Sequence, residues 1–187
     1  MLKSMGCKKR LETRDWWRCV IATELEDLKI LQSAEIIADA VWKRVVQWEE
    51  FAKDVVGKQM ARAIDSIGAN IAESYGRFNY GEKLQFLYYS RGSLFEAKFW
   101  LNRALARELM KAEEVKAYAA RLSDVARQLN TFANSLKSQR QEGKAQSKSV
   151  REPSAEYVVE DWLDDSTPLF TDLELNWLES QPPVSNL

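Results

Sequence analysis

The chain has no histidine, which takes away the commonest general base and the commonest metal ligand. Its two cysteines, Cys7 and Cys19, have no zinc-type spacing and make no disulfide framework, so they read as free thiols of a reducing compartment. No glycine-rich phosphate loop is present. A di-iron site in a helical bundle needs Glu-x-x-His motifs, and the missing histidine removes that option too. With the usual equipment for chemistry absent, the chain reads as non-enzymatic and without a cofactor or metal. Prolines number only four and glycines seven in 187 residues, and no β-branched run is bounded by turn residues. Together these point to an all-α protein. No stretch reaches ~18 uninterrupted apolar residues, so no membrane span is expected. The basic start (Lys3, Lys8, Lys9, Arg10) lacks an apolar segment ahead of a cleavage site, so the expected location is cytoplasmic.

What the chain does have is charge of both signs, unevenly placed. Residues 1–140 carry 24 Lys/Arg against 18 Asp/Glu, and residues 141–187 carry 3 against 10. A basic body is therefore followed by an acidic tail, and the two can attract each other or different partners. Three regions follow: an N-terminal extension over 1–23, a helical body over 24–140, and a linker with an acidic-hydrophobic tail over 141–187. The extension reads as a short extra helix or an arm.

Within the body, Val41, Val45, Trp48, Ala52 and Val55 recur at 4-3-4-3 spacing, one face of an amphipathic helix that Trp42 and Val46 widen. Gly57 is the expected break. A second helix places Met60, Ile64, Ile67 and Ile71 on its core face, with Ala61, Gly68 and Ala72 as a small-residue stripe. A glycine inside a helix costs ~1 kcal/mol relative to alanine, so Gly68 points to close packing or a contact. Asn70 and Glu73 lie on the polar flank, where Asn70 is expected to bond locally or to a neighbouring helix. Gly76 is the expected left-handed residue ending this helix. Asn79 is a natural N-cap with Glu82 in capping-box position.

The third helix, about 81–109, bears two apolar stripes. Phe86, Leu87, Leu94, Ala97, Leu101, Ala104 and Leu105 form one; Tyr88, Phe95 and Phe99 form the other, with Tyr89 and Trp100 between them. A monomeric bundle buries only the first. The second needs another subunit, a partner, the N-terminal arm or the tail to cover it. In a fourth helix Val115, Tyr118, Leu122, Val125, Leu129, Phe132 and Leu136 recur at heptad spacing, which suits near-parallel packing. Nothing between Met110 and Glu113 separates it clearly from the third, although Glu113 and Glu114 suit a new N-terminus. In the tail Trp162, Leu163, Phe170, Leu173, Trp177 and Leu178 are set among acids, the pattern of a docking segment or of a largely disordered solubilising tail.

The segments SIGANIAESYGR and FLYYSRGSLFEAKFWLNRA carry a resemblance. It rests on Gln59, Arg62, Ala63, Ser66, Ile67, Asn70 to Glu73, Gly76, Arg77, Phe86, Leu87 and Arg91 to Leu94. Over about Leu25 to Lys137 the chain resembles the four-helix bundle family of proteins encoded by 23S rRNA intervening sequences. That family includes the accessory variability determinant (Avd) of diversity-generating retroelements. Ser74 departs from it, since the family usually has glycine there. The resemblance implies an antiparallel up-down four-helix bundle, assembly as a homopentamer, a basic surface that binds RNA or DNA, partnership in one branch with a reverse transcriptase, and no catalysis. Candidate phosphate contacts are Arg62, Arg77, Lys83, Arg91, Lys98, Arg103 and Arg107; Arg91 and Lys98 lie near the core stripe, where they can snorkel or pair with acids instead. Tyr88, Phe95 and Phe99 are the candidate subunit interface. The alternative function is a protein-interaction adaptor that docks a partner through the acidic tail.

Overall fold

The computed structural model describes residues 24–146 and 168–180. The N-terminal extension and the tail positions Trp162 and Leu163 lie outside the described residues. Four long helices make the body: α1 (Lys29–Val45), α2 (Lys58–Gly76), α3 (Tyr80–Ala106) and α4 (Ala112–Gln146); a short α5 (Asp172–Ser180) belongs to the tail. Each long helix packs on the next, and α4 returns to α1. This is an antiparallel up-down four-helix bundle, and no strand occurs among the described residues.

The apolar periodicities fill its centre. Met60, Ile64, Ile67 and Ile71 of α2 are almost fully buried, as are Leu87, Leu94, Ala97, Leu101 and Ala104 of α3. Along α4 the heptad positions Val115, Leu122, Val125, Leu129 and Leu136 are buried, with Tyr118 and Phe132 half-buried against the core. Ala112, Ala119 and Ala133 share that face. The Tyr118 hydroxyl donates to the Ala40 carbonyl at 3.3 Å, tying α4 to α1.

The first helix differs from the expectation. It ends at Val45, and Val46 to Glu49 form a turn in which Trp48 folds back into the core. The chain then runs through a single turn (Glu50–Ala52) and a π-helical stretch (Lys53–Gly57) directly into α2. The five-residue spacing of that stretch shifts the helical phase, so Val56 is buried and Val55 is exposed. Trp42 and Val46 are likewise exposed and do not widen the core face. Gly57 is no break. It is buried inside the continuous helix, where a Cβ would lie 2.6 Å from Val45 Cγ1. The last turn of α1 approaches this backbone more closely than any side chain allows.

Gly68 has the opposite surroundings. A Cβ there would meet Leu31 Cδ1 at 3.6 Å and Ala34 Cβ at 3.8 Å, ordinary contacts with α1. The close polar seam is between α2 and α3, and serines make it. Ser90 Oγ donates to the Ile67 carbonyl at 3.0 Å and Ser74 Oγ to the Lys83 carbonyl at 2.9 Å, both side chains buried. Ser74 thus ties α2 to the start of α3 with an interhelical hydrogen bond. Asn70 Nδ2 donates locally to the Ser66 carbonyl at 2.8 Å and reaches Ser93 Oγ at 3.5 Å.

Helix ends also depart in detail. Gly76 is the last residue of α2 and has no positive φ; the chain leaves through extended Arg77. Asn79 is the N-cap of α3, but its amide donates to the Glu82 carboxylate at 3.2 Å and not to the backbone. Between α3 and α4 the chain does break, with Glu108 at φ 57°. At its far end α4 continues beyond Arg140 to Gln146.

Candidate nucleic-acid and partner interfaces

The seven candidate cations fall into two groups. Arg62 of α2 and Arg103 and Arg107 at the end of α3 are exposed and make no ion pair among the described residues; nor does half-buried Lys83. The other three are engaged. Arg77 pairs with Glu73 one turn earlier, and its guanidinium lies 4.6 Å from the centre of the Phe86 ring. Half-buried Phe86 therefore serves as a stacking platform beside α2 and not as part of the core. Arg91 Nη1 donates to Asn130 Oδ1 of α4 at 3.2 Å and sits 5.6 Å from the Phe95 ring. Lys98 is held by the tail.

Several outer positions remain apolar, among them Ile36, Trp42 and Phe51 on the α1 side. On α3, Phe95 is 42% and Phe99 53% exposed, and Tyr88 is half-buried against the core. Phe99 meets Trp100 edge-on at 5.1 Å. At the α2–α3 turn Phe78 is almost wholly exposed.

The described part of the tail, Pro168 to Ser180, packs on α4 and on Lys98 of α3. Leu169, Phe170 and Leu178 are buried there. Leu169 enters a small cleft with Leu94 and Phe95 of α3 and Ala126 and Leu129 of α4. Of the six expected docking residues, Phe170 and Leu178 make the contact. Leu173 and Trp177 lie on the outer face of α5, 81% and 53% exposed. The difference is one of helical phase: positions 173 and 177 fall on one side of the helix and 178 on another.

A polar clamp sits over those anchors. Lys98 Nζ donates to the Leu169 carbonyl at 2.7 Å and to the Glu174 carboxylate at 2.8 Å, and lies 5.0 Å from the Phe170 ring. Glu174 also accepts from the Thr171 backbone N–H at 2.8 Å, while Thr171 Oγ1 accepts from the Glu174 N–H at 3.2 Å. This is a capping box, and Lys98 binds its carboxylate. Partial burial pushes the Glu174 carboxyl up, but the hydrogen bonds from Lys98 and Thr171 and the lysine charge outweigh it and hold the group below the usual carboxylate range. The signal for this clamp was in the sequence as Thr-Asp-Leu-Glu after Leu-Phe, a capping box preceded by two apolar residues.

Sequence patterning gave no sign of a second polar anchor. Arg44 at the end of α1 donates to the Glu114 carboxylate at 2.9 Å and to the Leu109 carbonyl at 3.1 Å, pinning the α3–α4 turn to α1. Burial raises the Glu114 carboxyl, yet Arg44 and the Lys111 backbone N–H together hold it below its ordinary value. The two residues are 70 apart in sequence, so their pairing leaves no local pattern, although Glu114 also accepts from the Lys111 N–H at 3.1 Å as an N-terminal helix residue.

Among the described residues no helix is long and apolar enough to cross a membrane. No curated protein gives a match to the chain. The model of one family, 23S rRNA-intervening sequence protein, matches residues 26–131, from just before α1 into the second half of α4. That span exceeds half of the chain and includes the whole α2–α3 hairpin, so the protein belongs to the 23S rRNA-intervening sequence protein family.

Proposed function

We propose that this protein is a non-enzymatic, cytoplasmic accessory protein that binds nucleic acid through α2 and α3 and assembles as a homo-oligomer, a pentamer in the finer form of the proposal. The carrying observation is the set of cations on these helices (Arg62, Lys83, Arg103 and Arg107) that no carboxylate neutralises among the described residues. Such cations bind phosphates by releasing counterions, with strong salt dependence and little sequence preference. Arg77 and Arg91 join them as aromatic-stacked guanidiniums at the flanks of α3. The exposed Phe95 and Phe99, with Tyr88 beneath, supply the subunit face. A reverse transcriptase is the protein partner that the family resemblance puts forward.

Titration with RNA and DNA at two salt concentrations tests the reading. Binding should weaken steeply with salt, and the triple variant R62Q/R103Q/R107Q should lower the log–log slope by about 2–3, at ~0.7–0.9 per lost phosphate contact. Absence of binding at low salt would remove the proposal. For assembly, F95S/F99S should convert the oligomer to monomer in sedimentation; an unchanged mass would exclude this face.

A further inference from the structure

The groove between α3 and α4 has a built floor, a built clamp and a seated ligand. We propose that it is a docking site for acidic amphipathic helices. On this view Pro168–Ser180 is the built-in occupant, and a partner segment of the same chemistry enters by displacing it. Three features define that chemistry. Two apolar residues, Leu169 and Phe170, precede the helix and fill the floor with Leu178. The carbonyl of the first accepts from Lys98 Nζ at 2.7 Å. A Thr-x-x-Glu capping box then presents the Glu174 carboxylate to the same ammonium at 2.8 Å. The pattern Leu-Phe-Thr-x-x-Glu-x-x-x-Leu is thus read by shape, by one carbonyl and by one charge.

The floor decides the class of ligand. A phosphate backbone needs several cations and gains nothing from apolar side chains, whereas Leu94, Phe95, Ala126 and Leu129 surround Leu169 here. An amphipathic helix laid in a groove is the mode that fits. Among the described residues Arg62, Arg103 and Arg107 make no hydrogen bond or ion pair with the tail, and of the proposed phosphate contacts Arg91 alone lines the cleft, so this site does not rest on the nucleic-acid reading.

The tether explains how the occupant is both held and releasable. From Asn130, beside the groove, to Gln146 the α4 axis advances ~24 Å at ~1.5 Å per residue. Residues 147–167 are enough, at ~3.3 Å per residue of fully extended chain, to bridge that distance. Because occupant and groove belong to one chain, docking is intramolecular and the tail occupies the groove without needing high intrinsic affinity. A trans ligand of higher affinity then competes successfully.

Anisotropy of a labelled peptide of residues 168–180 against the full-length chain tests this. The wild-type chain should bind it at least ~10-fold more weakly than a full-length F170S/L178S variant, whose tail no longer occupies the groove. Full-length E174R serves as a second undocked variant should the first lose helicity. Adding Lys98→Glu to F170S/L178S should abolish binding, and a peptide carrying Glu174→Lys should regain it. Equal peptide binding by wild-type and undocked chains, or binding indifferent to Lys98→Glu, would overturn the proposal. So would Lys98-dependent capture of a labelled RNA in place of the peptide.

Discussion

Gly57 and Gly68 are both helical glycines, and alanine should act on them in opposite directions. Gly→Ala in a helix interior gains up to ~1 kcal/mol of propensity. At Gly68 the new methyl makes contacts of 3.6 and 3.8 Å with Leu31 and Ala34, so that gain is kept: about 0.5–1 kcal/mol more stable. At Gly57 the methyl lies 2.6 Å from Val45 Cγ1, on a β-branched side chain that is itself buried and has few rotamers to escape into. Overpacking of this kind costs ~1–3 kcal/mol, which cancels or reverses the propensity gain and leaves a net loss of about 0–2 kcal/mol. The two variants should differ by ~1–3 kcal/mol, measured as midpoints of urea unfolding at constant slope. Adding Val45→Ala removes the clashing atom, so Gly57→Ala should cost less in that background and a double-mutant cycle should show coupling. If Gly57→Ala stabilised as much as Gly68→Ala, or its cost were independent of Val45, the reasoning from close approach would fail.

Further expectations follow from single contacts. Ser74→Gly should lose about 1–2 kcal/mol, one interhelical hydrogen bond plus helix propensity, read from the same unfolding curves; a neutral result would show that the Lys83 carbonyl does not need the hydroxyl. Arg44→Ala should cost about 1 kcal/mol, because it frees both Glu114 and the Leu109 carbonyl at a partly exposed site. Glu114 and Glu174 have carboxyls held below their ordinary value, so each stabilises the fold fully above the unfolded carboxylate pKa of ~4.3 and loses that effect as pH falls through its folded value. Tail docking should therefore loosen on acidification below about pH 4.3, checked by hydrogen exchange of the α5 amides. Loosening in mild alkali instead would contradict the Lys98–Glu174 clamp.

The bundle was legible in the sequence because periodicity is local: the seams of α2, α3 and α4 appear at the spacing at which they are buried. The end of α1 was not. Val46-Gln47-Trp48-Glu49 contains no glycine or proline, and it breaks because the Trp48 side chain finds the core end, a tertiary cause. The π-helical stretch then moved burial from Val55 to Val56, which no fixed period anticipates. Gly57 illustrates the limit of reading glycine as punctuation, since it marks close approach here and not a stop. At the interfaces, residue type identified the cations but not their partners. Lys98 and Glu174 are 76 residues apart in sequence, and only the fold brings the tail's carboxylate to that ammonium.

The tail clamp also has a place in the life of the nascent chain. Thirty-four residues separate the end of α4 from the end of α5. Synthesis proceeds from the N-terminus at ~5–20 residues per second, so α4 leaves the ribosome ahead of α5, and helical bundles fold in microseconds to milliseconds once their helices are free. The body therefore completes its packing with the α3–α4 groove still vacant, and each newly made molecule passes through an interval in which its docking site is open without competition. A partner synthesised nearby meets that open form first. A released chain ending at Gln146 should accordingly capture the tail peptide that finished molecules exclude.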